Sequence, residues 1–348
     1  MPVSTPQTST FAGLALHGAQ AGFEVKTPSR YWLELQAESG EADAQVTLAT
    51  MHLSEDEPRD FPEARRLYGL AAAQGHAAAQ CLLASMHFSG DGGPQDFAEA
   101  RRLFGLAAEQ GHAEAQNELG KMHYHGGYGG PQDPAEARRL FGLAAVQGQA
   151  EAQFTLAGMH LTGKGGPKDL PEARRLLGFA AAQGDFGAHR LSTPLAQTML
   201  GTMHYGGQGG PKDFAEARRL LGLSAAQGEA EAQALLGKMH YTGKGGPKDF
   251  AEARRLLGLS AAQGNAAAMT VLSSMHAHGE GGPTDFAEAR RLLGLAAAQG
   301  NANARTALDG LDRVAEADAN AMMEQLLAED LEEKKAKGAA KSAKSAKS

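Results

Sequence analysis

Residues 228–264 read GEAEAQALLGKMHYTGKGGPKDFAEARRLLGLSAAQG. In the first half, Ala232, Leu235, Leu236, Met239 and His240 fall at i, i+3, i+4, i+7 and i+8, one face of a helix. The stretch TGKGGP at 242–247 breaks that helix. Asp249-Phe250-Ala251-Glu252 then opens a second one. Asp249 suits the N-cap, and Glu252 three residues on completes a capping-box pattern. Phe250, Ala253, Leu257 and Ala261 supply its apolar face, and Gln263-Gly264 stops it. The segment is a hairpin of two short helices. Such a hairpin cannot bury its apolar face alone, so copies must stack.

Copies are present. Met-His recurs at 51, 86, 122, 159, 203, 239 and 275, and Ala-Arg-Arg-Leu starts at 64, 100, 137, 173, 217, 253 and 289. The period is about 36 residues, the range of helical solenoids. The expected fold is therefore an all-α solenoid of seven hairpins, near 41–75, 76–111, 112–148, 149–184, 193–228, 229–264 and 265–300. One longer step leaves an insertion at 185–192. The solenoid as a whole is expected over 29–311, with a leader over 1–28, a C-terminal capping helix over 312–337 and a Lys/Ser/Ala tail over 338–348. At the front, Ser29–Gln45 lines up with the second helix and turn of a repeat, Trp32-Leu33 standing in the Leu-Leu place.

Composition agrees with this layout. The chain has 348 residues, 45 of them glycine, and aromatics are only 6%, too few for one large core built on rings. Cys81 is the lone cysteine, which excludes an internal disulfide framework and fits a reducing compartment. No apolar run approaches the roughly 18 residues of a membrane span. The net charge of −7 gives no general attraction for nucleic acid. The first 23 residues carry no charged side chain, unlike the start of a secretory signal. These features lead us to expect a cytoplasmic protein. Lys334, Lys335, Lys337, Lys341, Lys344 and Lys347 make a basic tail whose sharper reading is nuclear targeting or polyanion contact.

With Met-His, G-x-G-G-P, D-x-x-E-A-R-R-L-L and A-A-Q-G in phase through seven copies, the unit resembles the Sel-1-like repeat family. The resemblance covers about residues 29–311. It implies a right-handed α/α superhelix, like that of tetratricopeptide proteins, acting as a scaffold for protein assembly. Three positions depart from the family pattern: His240 replaces its Tyr, Gly246 its Val, and Leu256-Leu257 its Trp-Tyr. A disulfide-rich branch of the family with proposed β-lactam binding is disfavoured by the solitary Cys81.

No catalytic, cofactor-binding or metal-binding residue is assigned. The histidines at 52, 87, 123, 160, 204, 240 and 276 repeat once per hairpin. Neighbouring helices lie roughly 8–10 Å apart, too far for equivalent histidines to share a zinc ion about 2 Å from each. The expected role is packing, each His bonded to loop backbone or to the Asp that follows it. The G-x-G-G-P loops lack the Ser/Thr and the strand of a phosphate loop, and no G-x-S-x-G elbow exists. Seven Arg-Arg pairs, Arg65-Arg66 through Arg290-Arg291, follow a Glu at i,i+3 spacing and predict a charge-balanced outer face. Glycines at 69, 105, 142, 178, 222, 258 and 294 sit inside the second helix. Close helix–helix approach is the structural reading; simple tandem copying is the other.

The copies differ most in the first helix, at the 238 and 241 positions. The row Leu53, Phe88, Tyr124, Leu161, Tyr205 and Tyr241, with Lys121 and Lys238 beside it, is the expected partner-binding surface. In the resembled family that helix lines the concave face. Phe186, His189 and Arg190 in the insertion form the second candidate. The expected function is a non-catalytic scaffold or adaptor binding other proteins. The alternatives are a β-lactamase-type hydrolase and a polyanion or nucleic-acid binder acting through the basic tail.

Overall fold

A computed structural model describes residues 30–54, 59–183 and 192–313, except the side chains of Tyr31 and Ser192. All regular structure among the described residues is helical. The chain forms two compact units, one ending at Lys168 and one beginning at Asp169. The first contains α1 (Arg30–Glu38), α2 (Ala42–Met51), α3 (Phe61–Ala73), α4 (Ala77–Ser89), α5 (Phe97–Glu109), α6 (Ala113–His125), α7 (Pro134–Val146) and α8 (Ala150–Thr162). The second contains α9 (Leu170–Ala182), α10 (Ser192–Gly206), α11 (Phe214–Ala226), α12 (Ala230–Thr242), α13 (Phe250–Ala262), α14 (Ala266–His278) and α15 (Phe286–Ala298), with 302–313 also helical. Within each unit every helix packs on its sequence neighbour, giving stacked hairpins of the all-α solenoid class.

Start and stop signals explain the helix limits. At each second helix the Asp carboxylate accepts the backbone N–H of the Glu three residues on, at 2.9–3.0 Å in all seven copies. The reciprocal half of the capping box does not form. The Asp N–H instead donates to the carbonyl of the preceding Met-His histidine, as Asp249 does to His240 at 3.0 Å. The Glu side chain is thereby released to pair with Arg. First helices end on a left-handed glycine such as Gly243, φ 75°, whose N–H donates to Met239 O.

The core is built from small and medium side chains. In α12, Ala232, Gln233, Leu236, Gly237 and Met239 are buried; in α13, Ala253, Leu256, Leu257, Ser260 and Ala261 are. Phe250 is only half-buried. Gln233 was not among the core residues expected from the sequence. Its buried amide donates to Ala225 O at 3.2 Å, and its Oε1 accepts from Gln263 Nε2 at 2.9 Å. Buried glutamines at 45, 80, 116 and 197 make the same two bonds, to the helix before and from the helix after. The amides give a second bond to C-terminal carbonyls such as Ala225 O, which also accepts the Gly228 N–H.

The interior glycines of the second helices do not mark close packing. A Cβ at Gly69, Gly105, Gly142, Gly178, Gly222, Gly258 or Gly294 would meet nothing within 4 Å. Close approach occurs at the loop glycines instead. A Cβ on Gly245, φ 74°, would collide with the Phe214 carbonyl, and one on Gly246 with the Arg218 guanidinium. The substitution of Gly246 for the family's Val therefore makes room for an arginine from the repeat before.

Candidate binding surfaces

The two members of each Arg-Arg pair have different tasks. The second, such as Arg219, forks onto the Glu three residues before it, with bonds of 2.6–2.8 Å in all seven copies. This is the local pairing expected from the spacing. The first reaches into the next repeat. Arg218 Nη2 lies 2.7 Å from His240 Nδ1, and its guanidinium also donates to Pro247 O at 3.4 Å. Arg65, Arg101, Arg138, Arg174 and Arg254 do the same to His87, His123, His160, His204 and His276, at 2.6–2.9 Å. These six rings thus face an arginine of the hairpin before and not the following Asp, which donates instead to a histidine carbonyl, as Asp249 does to His240. An arginine has no acceptor, so the close ring nitrogen must carry its lone pair outward and the imidazole must be neutral. Burial, then the charge of Arg218, holds the pKa of His240 below 6.5. Successive hairpins are joined by Arg–His bonds such as Arg218–His240 at the loop end and by Gln–carbonyl bonds such as Gln233–Ala225 at the turn end, while the Gln–Gln bond ties the two helices of one hairpin.

The first-helix row is half-buried throughout, and its rings rest on the opening of the following helix. Phe88 packs on Phe97 at 5.2 Å, Tyr205 on Phe214 at 5.4 Å and Tyr241 on Phe250 at 5.5 Å. Tyr124 lies 6.4 Å from Phe141. Leu53 packs on the core of its unit, and Leu161 is half-buried. The middle residue of the next repeat's G-x-G loop covers several rings. Tyr128 lies 5.3 Å from Phe88; Lys164 Nζ sits 3.4 Å above the Tyr124 ring; Lys244 Nζ reaches Tyr205 Oη at 2.9 Å. Glu280 stands beside Tyr241, and burial together with that carboxylate pushes the phenol pKa up.

Reading the sequence did not attach these loop residues to the row. The available signal was that x varies (Asp91, Tyr128, Lys164, Gln208, Lys244, Glu280) inside an otherwise constant loop.

Lys121 and Lys238, equivalent in sequence, differ in setting. Lys121 is held by Glu118 and Glu151, each at 2.7 Å. Burial opposes its charge, but the bonds to the two carboxylates outweigh it and raise the pKa. Lys238 is exposed. Phe186, His189 and Arg190 lie outside the described residues, as do most of the insertion, the leader and the lysine tail. Cys81 is buried, and burial with the nearby Glu114 and Glu118 pushes its thiol up to about 12. It is a poor nucleophile at neutral pH. Among the described residues no cluster of His, Cys, Asp and Glu has the makings of a metal site. No described helix is long and apolar enough to cross a membrane.

Helix hairpins stacked in series and clamped at both ends define a helical-repeat protein. Seven consecutive segments match the Sel1 repeat: 42–76, 77–112, 113–149, 150–185, 194–229, 230–265 and 266–301. The chain belongs to the Sel1 repeat family. It is similar to a protective antigen present in uropathogenic Escherichia coli strains that displays an SLR fold: 31% identity, TM-score 0.70, covering 82% of this chain and 59% of the antigen. It therefore spans less than two thirds of that relative's length. A Sel1 repeat protein from Oxalobacter formigenes is 28% identical with TM-score 0.57, covering 71% of this chain and 96% of its own. No curated protein matches the chain.

Proposed function

We propose that the chain is a non-catalytic protein-binding scaffold whose contact surface is the first-helix row together with the loop residues over it. The carrying observation is a division within the repeat. Met239, Leu236, His240 and Arg218 keep the same identity through their copies, whereas Tyr241 and Lys244 occupy positions that change. A rigid frame thus displays a side-chain series that differs from hairpin to hairpin. Aromatic rings edged by charged groups suit a contact built around a few anchors. Contacts spread over several repeats would suit an extended segment or a helix of a partner protein. A cytoplasmic location accords with the single free thiol of Cys81.

The test is capture of partners from native lysate by the full chain and by a K164A/K238A/K244A variant, identified by mass spectrometry. These side chains are peripheral to the core, so circular dichroism should be unchanged. A discrete partner lost by the variant supports the row. Retention of every partner by a folded variant overturns it.

A further inference from the structure

Along one edge of the second unit the fold leaves several cations without a counter-charge. Arg219 and Arg255 are forked onto Glu216 and Glu252, and Arg218 and Arg254 are engaged by His240 and His276. Lys212, Lys238, Lys244 and Lys248 are exposed, and none of them makes an ion pair among the described residues. They gather around two rings of the first-helix row. Lys244 Nζ lies 4.7 Å from the centre of the Tyr205 ring and 5.4 Å from that of Phe214, and its polar partner is a neutral hydroxyl, Tyr205 Oη. The stem of Lys212 lies beside Gly207, two residues past Tyr205, and that of Lys248 beside Gly243, two residues past Tyr241. Lys248 Nζ is 5.9 Å from the Phe250 ring, on which Tyr241 packs. Lys238 stands one turn before Tyr241 on α12. The carboxylates of this edge have other partners: Asp213 and Asp249 cap their helices, and Glu280 faces Tyr241.

We propose that this edge receives an acidic peptide segment of the partner protein, whose Asp or Glu carboxylates are taken by the four lysines beside Tyr205 and Tyr241; the inference rests on the scaffold reading above. Charge complementarity carries it. A local cluster of cations on a chain of net charge −7 draws an acidic segment to one place, while the rest of the chain repels it. The kind of cation narrows the ligand further. An ammonium is a compact point charge and suits single carboxylates. Phosphate groups are read best by planar arginine forks, and Arg218, Arg219, Arg254 and Arg255 are all engaged within the fold. Nor does the edge suit a nucleic acid. Single strands bind by stacking bases on open ring faces. Tyr205 and Tyr241 meet Phe214 and Phe250 edge-on, at 70° and 63°, and Lys244 lies over the Tyr205 ring. A long polyanion would also run past Glu231 and Glu280, which a short segment with a few carboxylates avoids.

Fluorescence anisotropy on the full chain tests the idea. The probe is a fluorescein-labelled oligoglutamate of about fifteen residues in about 50 mM salt, compared with a Gly-Ser peptide and an oligothymidylate of the same length. The wild type is expected to bind the oligoglutamate and not the Gly-Ser peptide, more weakly as the salt rises to about 200 mM. K212Q/K238Q/K244Q/K248Q should weaken that binding about tenfold or more, whereas K341Q/K344Q/K347Q, in the basic tail, should leave it unchanged. The four side chains are exposed, so circular dichroism should not change; should it, K244Q/K248Q decides alone. No binding by the wild type, a loss confined to the tail variant, or tighter binding of the oligothymidylate through the same lysines overturns the proposal. The scaffold reading fails separately, when lysate partners stay with the folded K164A/K238A/K244A variant. Partners lost by that variant but not displaced by excess oligoglutamate uphold the scaffold and overturn the acidic segment.

Discussion

The guanidinium of Arg218 lies 2.7 Å from Nδ1 of His240, 22 residues further on and in the next hairpin. The bond exists only while the imidazole is neutral. Burial first, and the facing arginine second, lower the pKa of His87, His123, His204, His240 and His276 from 6.5. Around His240 the Arg255 charge also lowers it, while Glu252 and Asp249 raise it without prevailing.

A folded-state pKa below the unfolded one means that the unfolded chain takes up the proton first. Stability is therefore full above 6.5 and is lost as the pH falls through 6.5 towards the folded-state value. Thermal melts should show a constant Tm between about pH 7 and pH 8 and a fall between about pH 6.5 and pH 5. The Glu–Arg forks cannot produce that fall, because Glu252 and its equivalents titrate below 4.5. A Tm unchanged down to about pH 5 would show that the imidazoles do not carry the clamp.

Arg218 and Arg219 are neighbours of identical chemistry, and they should respond differently to truncation. R218A removes the His240 bond and the donor to Pro247 O, leaving polar atoms in a partly buried loop; a loss of about 1–3 kcal/mol is expected. R219A removes an exposed fork, expected to be worth about 0–1 kcal/mol. R218K should behave like R218A, because an ammonium cannot span ring nitrogen and carbonyl together. Urea unfolding of the three variants decides. Equal losses at 218 and 219 would contradict the assignment.

The contrast between these arginines also marks how far the sequence could be read. Periodicity and caps identified the hairpin, because Asp249, Gly243 and Gly264 act within one copy. Residues at 218 and 219 differ by 100° around the helix, and which one points into the next hairpin depends on how hairpins stack. A repeat pattern lists neighbours along the chain; it does not say that Arg218 meets His240. The same limit hid Gln233, a polar residue on a core face, whose partners Ala225 and Gln263 belong to other helices. The row at Phe88, Tyr124, Tyr205 and Tyr241 was legible from variation among copies, but its half-burial and its loop covers were not.

The glycines invert the expectation of close packing and yield a prediction of opposite sign at two kinds of position. Gly222 and Gly258 have helical φ and open space, so G222A and G258A should each stabilise the monomer by about 0.5–1 kcal/mol. Gly245 has φ 74° and faces the Phe214 carbonyl, so G245A should destabilise by about 1–3 kcal/mol. Differential scanning calorimetry at low protein concentration separates the two. A loss of stability in G222A would mean that something fills the space beside it within the folded chain.

Gln233 tests the clamp at the turn end. Leucine at this position would fit the apolar character of its neighbours Leu236 and Ala232. It would also remove the side-chain bond to the Ala225 carbonyl, which keeps the Gly228 N–H, and one of the two acceptors of the Gln263 amide. Each bond lost costs about 0.5–1.5 kcal/mol, so losing two should make Q233L less stable by about 1–3 kcal/mol despite its greater hydrophobicity. Replacing Gln263 as well removes a bond that Q233L has already lost. The double variant Q233L/Q263L should therefore lose less than the sum of the single losses, a coupling that a double-mutant cycle in urea measures directly. Strict additivity would mean that the two amides act independently.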